Sequence, residues 1–208
     1  MQAAIGGHAP GCYDPSMNAQ GHTLFDTAIG RCGIAWSANG VVGVQLPQTC
    51  DSETRARLRR RFPETDELPA AAAINAAVSA IIVLLRGEPS VLDAIRLDME
   101  QVPEFHRRVY AITRSIAPGA TLSYGDIATR LAMPGSARAV GQALGQNPFA
   151  IIVPCHRVLA AGGKVGGFSA SGGIATKRRL LEIEGALSAG SLPLFGAAVA
   201  ATAPRDRD

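Results

Sequence analysis

Apolar and polar positions fall into different patterns in the two halves of the chain. From His22 to Leu46 they describe two short strands around a turn. Gly33–Ser37 and Val41–Leu46 flank Asn39-Gly40, a strong hairpin signal, and Thr23–Ala28 leads in through Ile29-Gly30. Asp51–Arg61 is charged and predicts a helix capped by Asp51 or Ser52, with Glu53 nearby. Ala70–Arg86 has a helical apolar period and stops at Gly87 and Pro89. Leu92–Leu97 reads as a strand. This half is expected to be a small α/β domain, and no motif in it carries chemistry.

A boundary at Gln101–Pro103 precedes a helical half. Glu104–Ala117 places Phe105, Val109, Ile112 and Ile116 on one face, and Pro118-Gly119 stops it. Ser123 is the expected N-cap of a short helix, Tyr124–Leu131. Pro134-Gly135 turns the chain, and Ser136 is expected to cap a third helix, Ala137–Gln146. Helix, short helix, turn, helix is the helix-turn-helix arrangement, although many three-helix units bind no DNA. The organisation expected is 1–20 flexible, 21–101 and 102–186 as two domains, and 187–208 a flexible Ala-rich tail.

Charge sharpens this division. The 208 residues carry a formal net charge of only +3. Residues 1–100 hold 8 Lys and Arg against 11 Asp and Glu, a net of −3; residues 101–185 hold 10 against 4, a net of +6. The basic charge therefore sits on the segment with the helix-turn-helix pattern, as expected of a nucleic-acid binder. The third helix has little to read bases with beyond Arg138 and Gln142. Its small residues, among them Ala137 and Gly141, either allow close approach to a sugar-phosphate backbone or serve helix packing. No stretch reads as a membrane span and no signal peptide is evident, so a cytoplasmic protein is expected. Four cysteines (Cys12, Cys32, Cys50, Cys155) are too few for a disulfide scaffold and fit a reducing compartment. His8, Cys12, His22 and Cys32 match no standard zinc spacing, and no metal is expected.

Ala150–Val153 reads as a short apolar strand running into Pro154-Cys155-His156-Arg157-Val158. A buried structural Cys beside a polar His is one reading. The other is a nucleophile, since a thiolate needs a base or a positive environment and His156 and Arg157 adjoin it. Neighbours on a strand point to opposite faces, so His156 reaches Cys155 only through a bridging water or a turn that starts at the Cys. Gly162–Gly173 is rich enough in glycine to form a lid over a pocket.

Asn147-Pro148 followed by Ile152-Val153-Pro154-Cys155-His156-Arg157-Val158 resembles the active-site motif of the methylated-DNA–protein-cysteine methyltransferase (O6-alkylguanine-DNA alkyltransferase) family, and the resemblance runs from about Phe105 to Gly185. It implies an α+β fold: a ribonuclease H-like N-terminal domain followed by a winged helix-turn-helix-like catalytic domain. It implies a monomeric repair protein that needs no cofactor. Its partner is double-stranded DNA containing O6-alkylguanine, mainly O6-methylguanine. The base is flipped out and its alkyl group moves irreversibly, once per protein, to Cys155.

The other roles are likewise implied residue by residue. His156 deprotonates Cys155 through a water, and Glu184, rather than Glu182, orients His156. Tyr124 helps to rotate the nucleotide and donates to its N3. Arg138 fills the gap in the duplex, with Ala137, Gly141 and Ser123 beside it on the DNA face. Asn147 ties the third helix to the active-site strand. Val158, Phe168 and Ser169 wall the guanine pocket. Two residues between Phe168 and Gly173 are extra relative to shorter members, and Phe168 stands where a tyrosine often sits. The competing readings are a helix-turn-helix regulator, a non-catalytic lesion binder, in which the acceptor cysteine is replaced, and a Cys-His hydrolase.

Overall fold

The computed structural model describes residues 19–187. His8 and Cys12, the 187–208 tail beyond Leu187, and all of the 1–20 segment but Ala19 and Gln20 lie outside the described residues. Three antiparallel strands open the chain: β1 (Gly21–Thr27), β2 (Gly30–Ser37) and β3 (Gly40–Gln45). The lead-in segment is thus a full strand of the sheet. The second loop is Ala38-Asn39, because Ser37 pairs with Gly40, and Gly40 takes φ +140, which suits glycine. A two-residue strand, β4 (Asp66–Glu67), runs parallel to β1, giving the order β3-β2-β1-β4.

Helix α1 (Asp51–Arg61) covers one face of this sheet. Its N-cap is Cys50, not Asp51 or Ser52; both of those lie inside the helix, where Asp51 and Glu53 face the positive end of the helix dipole. Leu58 and Phe62 pack on Ala35 and Val42 there. On the opposite face Cys32, Ile34, Trp36 and Val44 join Ile74, Ile81 and Leu85 of α2 (Ala72–Leu85). That core continues without a break into α3 (Glu104–Arg114), through Val109 and Tyr110, and into Val140 and Phe149. Tyr110, which the helical face read from sequence omits, is buried, stacks edge-on to Phe149 and donates to the Ala143 carbonyl at 2.9 Å. The layout is mixed α+β with two sequential halves sharing one core.

Leu92–Leu97 is not a strand. Carbonyls 92, 93 and 95 turn toward the Arg114 guanidinium, at 3.1, 2.9 and 3.1 Å, and only Leu97 bridges to Val41. A half-buried cation thus takes the acceptors that a ladder needs.

The helical pair forms as expected. Ser123 caps α4 (Tyr124–Arg130) in a reciprocal box: its Oγ accepts from Asp126 N at 3.1 Å, and Asp126 Oδ2 accepts from Ser123 N at 2.7 Å. Ser136 occupies the N-cap position of α5 (Ala137–Gly145), but its side chain makes no capping bond. Strand β5 (Leu122–Ser123) runs parallel to β6 (Val158–Leu159), and α6 (Gly173–Ile183) closes the fold. No helix among the described residues is long and apolar enough to cross a membrane.

Gly43 marks the closest approach of α1 to the sheet. A Cβ there would lie 2.6 Å from Cζ of the buried Phe62 ring. Gly43→Ala is expected to cost about 1–3 kcal/mol through overpacking, read as a lowered urea midpoint with unchanged slope.

Candidate active site

Residues 150–153 form a tight turn rather than the expected strand. Asn147 explains why. Its Nδ2 donates to the Val153 carbonyl at 2.9 Å, and its Oδ1 accepts from Phe149 N at 2.9 Å. These bonds close the segment on itself and tie the end of α5 to the approach to Cys155. Ile151 takes φ +72, a costly conformation for a β-branched residue, which the surrounding packing must enforce. The outer side of the turn is held by the N-terminal half: Val44 N donates to the Pro148 carbonyl at 2.8 Å.

A 3-10 turn, Cys155–Arg157, follows. A turn thus starts at the Cys, and the strand-like alternation of Cys155 and His156 expected from sequence does not apply. It buries His156 and Arg157 against the C-terminal end of α6. There Glu184 accepts from both: His156 Nε2 at 2.9 Å, Arg157 Nε at 2.8 Å and Arg157 Nη2 at 2.8 Å. Arg157 Nη1 also donates to the Ile116 carbonyl, just beyond α3. Glu184, not Glu182, is the histidine's partner.

The electrostatics follow from this packing. Burial alone would raise the Glu184 pKa; hydrogen bonds from Arg157 and then His156 outweigh it and hold the carboxyl at about 2. Burial pushes His156 below its ordinary value, and the Glu184 bond only partly opposes it. With an ionised acceptor on Nε2, the ring proton belongs there and Nδ1 keeps a lone pair. Nδ1 is buried with no partner among the described residues. Burial also raises the Cys155 thiol pKa, against the Asn147 hydrogen bond and the nearby Lys177 charge.

Two of these contributors carry no role in the sequence pattern beyond Arg157 as a positive neighbour of the thiol. Lys177 lies seven residues before Glu184, on the same face of α6, and that spacing is the signal that could have found it. It is fully buried, donates to the Val158 carbonyl at 2.6 Å and lies 5.9 Å from the centre of the Tyr124 ring. Val158 is thus buried behind the site, its carbonyl engaged.

Cys155 is half-buried and lines a cavity of about 220 Å³ with Phe168, Ser169 and Ala170 from one side. Gln45, Arg57 and Arg61 of the N-terminal half close the other side. The loop between Phe168 and Gly173 turns into α6 there: Ala170 accepts from Gly173 N at 3.0 Å and Ser171 from Thr176 Oγ1 at 2.6 Å. Tyr124 stands between α5 and this loop. A Cβ at Gly141 would meet its ring at 3.8 Å, and one at Gly166 would meet it at 3.9 Å. Burial, then the neighbouring Cys155, raise its pKa. Arg138 is exposed near the start of α5, with Ala137 half-buried beside it. His22 bonds Thr65 at 2.8 Å, and Cys32 is buried with its thiol pushed up to about 12.

Residues 104–186 match the family model described as 6-O-methylguanine DNA methyltransferase, DNA binding domain. A methylated-DNA–protein-cysteine methyltransferase of Mycobacterium bovis is 44% identical over 127 residues, 61% of this chain and 74% of the relative. A protein of the same name from Methanothermobacter thermautotrophicus is 33% identical over 79% of this chain and 82% of its own length. The solved structure of Mycobacterium tuberculosis OGT in complex with DNA superposes with a TM-score of 0.64 at 37% identity, covering 79% of this chain and 92% of that one. With identity on this scale running through most of two relatives, and the Cys155–His156–Glu184 arrangement in place, the chain belongs to the methylated-DNA–protein-cysteine methyltransferase family.

Proposed function

We propose that Cys155 is the alkyl acceptor and that the residues around it carry the roles given below. The protein repairs alkylated DNA: it takes O6-alkylguanine, mainly O6-methylguanine, and transfers the alkyl group to its own cysteine. The observation that carries the assignment is the buried Glu184–His156 bond set at a turn that begins on a cavity-lining cysteine. Neutral His156 accepts the thiol proton at Nδ1 through a water. The thiolate attacks the alkyl carbon, the S–C bond forms, and the C–O6 bond breaks with its electron pair passing to the guanine. Tyr124 donates a proton to guanine N3, so the thiol proton is in effect moved to the base. A thioether has no easy return to a thiol, and each protein acts once.

The lesion's O6 carbon lies in a stacked base, so the nucleotide must leave the duplex. Exposed Arg138 is placed to fill the gap, with Ser123, Ala137 and Gly141 allowing close approach of the backbone. A third helix poor in base-reading groups suits a scanner of any sequence, and the same feature speaks against an operator-reading regulator. The relative solved with DNA supports the same partner. Phe168 and Ser169 form the accessible wall of the guanine pocket, and Val158 supports it from behind.

The finer fold reading belongs to the same proposal. The sheet order with a helix layer on each face supports a ribonuclease H-like N-terminal domain. The α4–turn–α5 pair beside β5 and β6 supports a winged helix-turn-helix, with the boundary near residues 101–103. The free thiols of Cys32, Cys50 and Cys155 fit the reducing cytoplasm. No cofactor enters any step, and a monomer suffices.

Incubation with a duplex bearing labelled O6-methylguanine should add the mass of one CH2 to the peptide containing Cys155, one per protein. Label left on DNA, or several turnovers, would overturn the assignment. Cys155→Ala should abolish transfer and keep DNA affinity. Arg138→Ala should slow repair of duplex more than of the free base; equal losses would remove it from the flipping step. Glu184 gives a pH test. Its folded pKa of about 2 lies below the ordinary 4.5, so its stabilising contribution is complete above about pH 4.5 and is lost as pH falls toward 2. Glu184→Gln should therefore flatten that acid limb of the stability curve. It should also cost about 3–5 kcal/mol at neutral pH, because buried Arg157 loses its partner.

A further inference from the structure

The acidic total of the N-terminal half conceals a basic helix: α1 carries Arg55, Arg57, Arg59, Arg60 and Arg61. Two of these, Arg57 and Arg61, line the same cavity as Cys155, and no acidic side chain among the described residues lines it. Arg61 is held in place, donating to the Val44 and Pro148 carbonyls at 3.3 Å each and lying 5.3 Å from the centre of the Phe62 ring. Arg57 is exposed and makes no ion pair or hydrogen bond among the described residues. The cavity volume of about 220 Å³ is several times the roughly 30 Å³ that one water occupies in the liquid. With the flipped guanine against Phe168 and Ser169, the side walled by Arg57 and Arg61 is left to the alkyl chain.

We propose that this pocket selects O6-alkyl groups that end in a carboxylate, with Arg57 and Arg61 of the N-terminal half as specificity-determining residues. The proposal rests on the assignment of Cys155 as acceptor. An O6-carboxyalkyl lesion places its reacting CH2 at Cys155 Sγ, and its chain extends along the cavity toward the guanidinium wall. The chemistry is unchanged: the S–CH2 bond forms, the CH2–O6 bond breaks, and the electron pair and, in effect, the thiol proton pass to guanine. The product is an S-carboxyalkyl cysteine. The negative end finds the exposed Arg57 guanidinium, with Arg61 held beside it and no carboxylate among the described lining residues, an arrangement that favours the anionic chain over a neutral chain of equal size. Gln45, at 3.5 Å from Arg61, adds an amide that serves either chain equally.

The test compares single-turnover transfer from duplexes carrying O6-carboxymethyl- and O6-carboxypropylguanine with transfer from their neutral amide counterparts, and with O6-methylguanine as reference. The full chain, Arg57→Gln and Arg57→Glu are assayed; Arg57 is exposed, and each acid-to-amide ratio is internal to one variant, so it does not depend on the amount folded. The unmodified protein should show a ratio above one. Arg57→Gln should lower it about five- to tenfold, the scale of one partly desolvated charge pair, and Arg57→Glu should lower it further. A ratio of one in the unmodified protein overturns the proposal. So does an equal slowing of all five duplexes in Arg57→Gln, which would assign Arg57 to the DNA backbone. Methyl transfer to Cys155 with a flat ratio sinks only this proposal, whereas failure of methyl transfer sinks the acceptor assignment and this one with it.

Discussion

The buried carboxylate of Glu184 joins three parts of the C-terminal half. It takes protons from His156 and Arg157 of the 3-10 turn while standing at the end of α6, and Arg157 in turn reaches the carbonyl of Ile116 beyond α3. Each partner leaves the others costly to bury alone. An unpaired Glu184 or Arg157 at this depth would carry a desolvation cost of several kcal/mol. The set therefore forms together, and the position of Cys155 follows from it. The same charge decides the chemistry, because an acceptor on Nε2 leaves the free lone pair of His156 on Nδ1.

The second constraint is the turn before Cys155. It is fixed from inside by Asn147 and from outside by β3, whose Val44 donates to the Pro148 carbonyl. The N-terminal half is therefore more than a companion domain. Its sheet edge braces the reactive turn, its core is continuous with that of the helical half, and its arginine helix walls the cavity. The strained Ile151 sits where these supports converge, as expected of a backbone whose surroundings over-determine it.

Where the sequence reading failed, a tertiary acceptor or donor had intervened. Leu92–Leu97 has the composition of a strand, but its carbonyls serve Arg114 from twenty residues away. Ala150–Val153 is apolar enough for a strand, but Asn147 folds it back within six residues. Lys177 opens a run of three cations, Lys177-Arg178-Arg179, with nothing local to set it apart, yet it is buried against the Val158 carbonyl. Arg57 and Arg61 were counted as part of a charged helix in an acidic half that held no chemistry, because their distance to Cys155 in sequence is about half the chain.

The sequence by itself determined the hairpin and the helical pair with its Ser123 cap, and through the family resemblance it pointed to Cys155 as candidate nucleophile and Glu184 as the partner of His156. These rest on local signals: alternation, capping residues, turn residues and a contiguous motif carrying the family resemblance. Only the tertiary structure decided that His156 and Arg157 share Glu184, that Lys177 is buried, and which residues close the cavity beside Cys155. Those outcomes depend on which groups lose water together, and the loss of water is settled by packing between distant segments rather than by any residue's neighbours in the chain.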